Sequence, residues 1–173
     1  MTLIIFEREY YLLLNGYALM ELNERYGGTD KLMQMLCAHT SECIAALFDM
    51  FVTLCEHGEL ARRYLGYEHA PIPQTSEIIE RATLDDTFTL RNAVIETIGR
   101  GFTREITDEN EEIDIGLAEL NKSKDNKIRR ANYVRIGVVL GLSIRETMLE
   151  TPGALLDLLE LKVRERGKTT KEA

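Results

Sequence analysis

Between residues 40 and 56, Ile44, Leu47, Phe48, Phe51, Leu54 and Cys55 recur at spacings of three and four. Side chains so spaced share one face of a helix. Thr40 or Ser41 stands in front of the run and can cap the free amide groups of the first turn. A helix with so broad an apolar stripe must bury it, so the rest of the chain has to supply elements that cover it. Gly58 is expected to interrupt this helix, with Leu60 to Leu65 adding a further turn or two.

The covering elements follow the same periodicity. Asn15 caps a helix carrying Tyr17, Leu19, Met20 and Leu22, which Gly27-Gly28 closes. Thr29 is expected to cap a second, short helix with Leu32, Met33, Met35 and Leu36. The segment Ala70-Pro71-Ile72-Pro73-Gln74 is a break, because proline removes a backbone donor and restricts the residue before it. A short helix is expected over 76–81. A longer one is expected over 84–104, with Leu84, Phe88, Val94, Ile95, Ile98 and Phe102 on its apolar side and Gly99 and Gly101 weakening its last turns.

Ahead of these helices, Leu3-Ile4-Ile5-Phe6 and Glu9-Tyr10-Tyr11-Leu12-Leu13-Leu14 are apolar runs on either side of the polar pair Glu7-Arg8. Tyr and Ile favour strands, so a hairpin is expected, although Asn-Gly or Asp-Gly is missing from its turn. One helix from Phe6 onward is the competing reading.

Composition shifts after residue 104. Glu105, Asp108, Glu109, Glu111, Glu112 and Asp114 precede a basic group of Lys122, Lys124, Lys127, Arg129 and Arg130. A stretch this charged has little apolar surface to order it. Residues 105–128 are therefore expected to be a charged linker, with a helical turn near Ile115 to Leu120. The expected division is 1–104 for a hairpin plus helical body, 105–128 for the linker and 129–173 for a small C-terminal helical unit.

That unit has its own punctuation. Ala131 to Leu140 is expected to be helical and Gly141 to end it. Ser143-Ile144-Arg145-Glu146 fits a capping box, and Thr151-Pro152 opens the last helix. Leu155, Leu156, Leu158, Leu159 and Leu161 make two faces of that helix apolar. A unit of this size has difficulty burying enough surface alone. It should lean on the main core, on a second copy, or on a partner. The tail from Gly167 is polar and expected to fray. The fold class expected overall is mainly α with a small N-terminal β-hairpin.

Several functions find little support. The chain holds 29 Asp plus Glu against 21 Lys plus Arg, a formal net charge of -8. A general nucleic-acid binder needs the opposite balance. No segment offers the roughly 18 uninterrupted apolar residues of a membrane helix. The start of the chain lacks the basic leader, unbroken apolar stretch and cleavage site of a secretory signal. Cys37, Cys43 and Cys55 are odd in number and set among apolar residues, which fits a reducing cytoplasm.

Cys37 and His39, with Cys55 and His57, suggest a metal site. A continuous helix between the two pairs would hold them about 27 Å apart, however, while zinc needs four converging ligands. No metal, cofactor or catalytic residue is expected. There is no Gly-x-Ser-x-Gly elbow and no phosphate-cradling glycine loop, and Asp85-Asp86 fits a helix start. A helix-turn-helix outline exists over Val134 to Leu149, with Arg129, Arg130, Arg135 and Arg145 nearby. Its second helix also carries Glu146 and Glu150, which would face phosphates.

Arg8-Glu9-Tyr10-Tyr11-Leu12 followed by the helix that ends Glu21-Leu22-Asn23-Glu24-Arg25-Tyr26-Gly27 is similar to the opening of tail assembly chaperones of long-tailed phages and prophages. Those proteins begin with a short hairpin carrying a K/R-E-Y-x-L strand, then a helix with a comparable ending, then a helical body. Tyr133 to Leu142, Ser143 to Glu150 and Thr151 to Leu159 resemble the small C-terminal extension of the family's long form, joined through a polar linker. The resemblance implies a non-enzymatic protein of the host cytoplasm, absent from the mature virion. Its body would bind the tape measure protein, its C-terminal unit would recruit tail tube protein, and self-association is a further option. The residues expected to serve binding are Leu155, Leu156, Leu158, Leu159, Tyr133, Ile136, Phe48 and Phe51. The alternative is a small helical DNA-binding regulator that uses the C-terminal helix-turn-helix.

Overall fold

Strand β1 (Thr2–Ile5) pairs antiparallel with β2 (Arg8–Tyr11), with Ile5 opposite Arg8 and Thr2 opposite Tyr11, in a computed structural model that describes residues 1–38, 40–106 and 129–169. The hairpin is the N-terminal element, and the single-helix reading fails. Its turn is Phe6-Glu7, one residue earlier than the polar pair suggested. Both residues take positive φ, 53° and 61°. Two left-handed residues match the right-handed twist of the strands, which is why a two-residue turn tolerates them even without glycine.

Eight helices follow among the described residues. They are α1 (Gly16–Tyr26), α2 (Thr29–Cys37), α3 (Ser41–Tyr64), α4 (Thr75–Arg81), α5 (Leu84–Phe102), α6 (Arg130–Leu140), α7 (Ile144–Leu149) and α8 (Pro152–Thr169). Local chemistry sets their starts. The Asn15 carboxamide oxygen accepts from the Ala18 N–H, and the Thr40 hydroxyl accepts from that of Cys43. Thr83 with Asp86, and Ser143 with Glu146, form reciprocal capping boxes. Thr151 accepts from the Ala154 N–H in front of α8. Helix α2 differs, since it begins at Thr29 with Gly28 at the cap position.

Helix α3 is the centre of the fold. Tyr10 from the hairpin meets Phe51 edge to face, with ring centres 5.7 Å apart. Gly58 does not interrupt α3, which runs unbroken to Tyr64. The glycine serves packing instead: a Cβ there would stand 2.0 Å from the Tyr11 carbonyl oxygen. Its absence lets the chain leaving β2 lie against α3, where the Leu13 N–H donates to the Leu54 carbonyl at 3.1 Å.

Helix α5 corrects two further expectations. It ends at Phe102, and Leu84 and Phe88 are exposed at 71% and 48%. The buried face keeps Val94 and Ile98 as expected and adds Thr87, Leu90, Arg91, Ala93, Thr97 and Gly101. Both outliers lie in the first turns, turned away from the side of α5 that buries Thr87 and Leu90.

The C-terminal helices pack on the body, α7 against α1 and α8 against α5. Tyr133, Ile136, Met148, Leu155 and Leu156 join the same buried cluster as Phe51 and Leu90. From residue 107 onward, the expected charged linker and its helical turn lie outside the described residues, as do His39 and residues 170–173. Helix α8 continues through Thr169, beyond the point where fraying was expected.

Candidate partner-binding surfaces

Six of the eight side chains expected to serve binding are spent on the core. Phe51, Tyr133 and Leu155 are fully buried, and Phe48, Ile136 and Leu156 keep 5% exposure or less. Leu159 is half-buried against the same cluster, and Leu158 is exposed. The reason is geometric. Phe48 and Phe51 lie on the central helix, while α6 and α8 pack against each other and α8 on α5. Tyr133 is fixed at both ends. Its hydroxyl donates to the Glu150 carbonyl at 2.8 Å, and its ring lies against Gly16. Burial, followed by the charge of Glu150, pushes its phenol well above the usual tyrosine range.

Exposed apolar side chains gather elsewhere. At the end of α3 and in the loop after it, Tyr64, Leu65, Tyr67 and Ile72 face solvent. In the C-terminal unit, Val138, Val139 and Ile144 are exposed around the α6–α7 turn, and Leu158, Leu161 and Val163 along α8. Arg145 of α7 lies over the Tyr64 ring at 5.0 Å, so the α6–α7 corner neighbours the end of α3. Periodicity alone did not single out this region, because Leu65, Tyr67 and Ile72 lie beyond the end of the helix.

Glu59 shapes the same corner. Its side chain is 2% exposed, yet its Oε1 accepts from Arg63 Nε at 3.1 Å and from the Ala70 N–H at 3.0 Å. Arg62 approaches Glu59 at 3.5 Å, and its guanidinium also covers the Tyr11 ring at 3.7 Å and the Tyr67 ring at 5.1 Å. One buried carboxylate therefore ties the loop after α3 to the helix and holds its aromatic residues near the surface.

A polar seam joins α1 to α3. Glu21 meets His57 Nε2 at 2.9 Å and Arg25 at 2.6 Å, and Arg25 also pairs with Asp49. The Tyr26 hydroxyl donates to Asp49 at 2.5 Å, and Tyr17 stacks on the His57 ring. Burial first, then the Asp49 hydrogen bond and charge, push the Tyr26 phenol far above its usual value. All of these contacts except Glu21–Arg25, which lies within α1, run between the two helices, so the seam fixes their register.

A second ionic cluster joins the C-terminal unit to the body. Arg104, just past α5, donates to Asp157 at 2.8 Å through Nε and also pairs with Glu160. The Glu105 N–H donates to the other Asp157 oxygen at 2.7 Å, with the Ile106 N–H at 3.4 Å. Arg164 binds Glu160 from the next turn. Burial lowers the affinity of Arg104 for its proton, but the hydrogen bonds to Asp157 and Glu160 outweigh this and hold it above the usual arginine value.

Among the described residues, no group of three or more His, Cys, Asp or Glu side chains is placed to hold a metal ion. No single helix there is long and apolar enough to cross a membrane. Compared with protein families, with characterised proteins and with solved structures, the chain matches none.

Proposed function

We propose that this chain is a tail assembly chaperone of a long-tailed phage or prophage, acting by binding and without catalysis. The helical body holds the tape measure protein in soluble form, and the C-terminal unit recruits tail tube subunits. The observation that supports this is the presence of exposed apolar side chains on both the body and the C-terminal unit. Tyr64, Leu65 and Tyr67 lie on the body, and Leu158, Leu161 and Val163 on α8. Apolar side chains set in an acidic, soluble surface suit a protein that shields apolar helical clients. The N-terminal hairpin leading into a capped α1 is also the opening that the sequence resemblance leads one to expect.

Co-expression with a fragment of the tape measure protein from the same genome tests this reading. A soluble complex is expected, and recovery of the fragment only as aggregate would refute it. Leu161→Asp with Val163→Asp should leave that complex intact and abolish capture of tail tube protein. Equal capture by this double variant would remove α8 as the recruiting surface.

A further inference from the structure

The N-terminal hairpin has one closed edge and one open edge. Met1 and Leu12 exchange both backbone bonds at 2.8 Å, so the alternation of an antiparallel ladder makes Leu3 with Tyr10 and Ile5 with Arg8 the next bonded pairs. On the β2 side, the groups that point away from β1 meet α3. The Tyr11 carbonyl lies against Gly58, and just past the strand the Leu13 N–H donates to the Leu54 carbonyl. On the β1 side, the outward groups are the N–H and C=O of Thr2 and Ile4. Among the described residues, none donates to or accepts from these four groups.

Little guards that open edge. Native sheets blunt free edges with charge, proline or a bulge. Thr2-Leu3-Ile4-Ile5 has neither charge nor proline, and its register with β2 is unbroken. Ile4 is 74% exposed, the highest value among the large apolar side chains described, while Ile5 and Tyr10 on the other face are buried. A two-stranded hairpin also gains stability from a third strand.

The groups on offer decide the occupant. Two donors and two acceptors at every second residue are satisfied together by the backbone of another extended strand. A helix cannot do this, because its own N–H and C=O groups are bonded internally. Size decides against a second folded copy. Four residues span about 13 Å, and so short a strip buries much less than the roughly 1,000 Å² that holds two folded proteins together. We infer that the outer edge of β1 is a docking strip for an extended, uncharged segment of a partner protein, which adds as a third strand. Thr2 and Ile4 supply the ladder bonds, and a β-branched side chain of the incoming strand covers Ile4. This docking is separate from the shielding of helical clients and does not depend on it.

The probe is a fluorescein-labelled peptide, Lys-Thr-Val-Thr-Val-Thr-Lys, added to the full-length chain and followed by fluorescence anisotropy. Salt at about 0.5 M screens its lysine ends from the acidic protein. Saturable binding with a Kd below about 1 mM is expected. Ile4→Pro removes an outward N–H and no bond to β2, and proline is tolerated at such an edge position. Affinity should fall about tenfold or more at an unchanged urea midpoint, since a ladder bond is lost and the ring obstructs the incoming strand. Absence of saturable binding, or equal affinity for the parent chain and Ile4→Pro, would overturn the inference.

Amide hydrogen exchange on the unaltered chain, read residue by residue by NMR, is the second measurement and decides the matter if the variant fails to fold. Saturating peptide should slow exchange at the Ile4 N–H, while the Leu3 N–H, already paired within the hairpin, changes little. Unchanged exchange at Ile4 would overturn the inference. So would protection of Ile4 that appears without peptide as the chain is concentrated, because a second copy would then be the occupant.

Discussion

Gly58 and the Tyr11 carbonyl oxygen are so close that a Cβ on the glycine would stand 2.0 Å from that oxygen. The hairpin's exit and the central helix therefore meet backbone to backbone. Gly58→Ala would gain about 1 kcal/mol of helix propensity in an exposed helix. Here it would force the hairpin off α3, and overpacking of that kind costs about 1–3 kcal/mol. The clash is with backbone rather than with the end of a flexible side chain, so the second effect should win. Urea denaturation is expected to show a lower midpoint for the variant, and a midpoint at or above that of the parent chain would contradict the packing described.

Glu59 is the second internal tie. Glu59→Ala removes the acceptor for the Ala70 N–H and leaves Arg63 without its carboxylate. Loss of a buried, charged hydrogen-bond acceptor costs about 1–3 kcal/mol. The effect should be local as well as global. Hydrogen exchange at Ala70 should accelerate far more than at Leu54, and equal acceleration at both would mean that the carboxylate does not anchor the loop.

What could be read from the sequence was what neighbouring residues decide among themselves. Asn15, Thr40, Ser143 and Thr151 cap their helices because each needs only an amide three residues on. The hairpin was legible for the same reason, but not its turn at Phe6-Glu7, where strand twist overrides the residue preference. Gly58 looked like a helix breaker because its partner, Tyr11, is distant in sequence. Phe48, Phe51, Tyr133 and Leu155 looked like binding residues because an apolar side chain carries no mark of what covers it. Arg104 and Asp157 could not be paired at all, being 53 residues apart with a charged stretch between them.

Three carboxylates give the fold a signed dependence on pH. Hydrogen bonds from the Thr83 hydroxyl and N–H hold Asp86 below its ordinary 3.8, and those from Ser143 hold Glu146 below 4.5. Glu160 is also held below 4.5, first by Arg164 and then by Arg104. A pKa lower in the folded chain than in the unfolded one means that unfolding takes up protons as the pH falls. The stability these groups supply is complete above their ordinary values and lost as the pH drops through their folded values. Urea midpoints should therefore stay level from about pH 7 to 5 and fall below that. Glu146→Gln should flatten part of the decline, and an unaltered acid slope would mean that this cap carries none of it.

The three cysteines should react in the order of their exposure. Cys37 is exposed and Cys43 half-covered, while Cys55 is buried on α3 with a thiol that burial pushes far above its usual range. Thiolate is the reactive form, so burial slows Cys55 both by access and by ionisation. Alkylation of the native chain at about pH 8 should label Cys37 first and leave Cys55 unmodified until the chain unfolds. Early labelling of Cys55 would mean that α3 opens far more readily than its buried position implies.

Leu155 and Leu158 separate stability from binding within a single turn of α8. Leu155 is fully buried, whereas Leu158 keeps 38% of its surface. Leu155→Ala deletes packed methyl groups and leaves a cavity, a change that costs about 2–5 kcal/mol. Leu158→Ala removes surface that the fold does not use, so stability should move by no more than about 0.5 kcal/mol. If α8 meets a partner through its outward face, the two variants should separate in opposite ways. Leu158→Ala would lose partner affinity at an unchanged urea midpoint. Leu155→Ala would lose the midpoint, and its binding would fall only in proportion to the unfolded fraction. Should Leu158→Ala bind as tightly as the parent chain while Leu155→Ala fails under folded conditions, the partner would be meeting the face that is buried here, and α8 would have to leave the body to bind it.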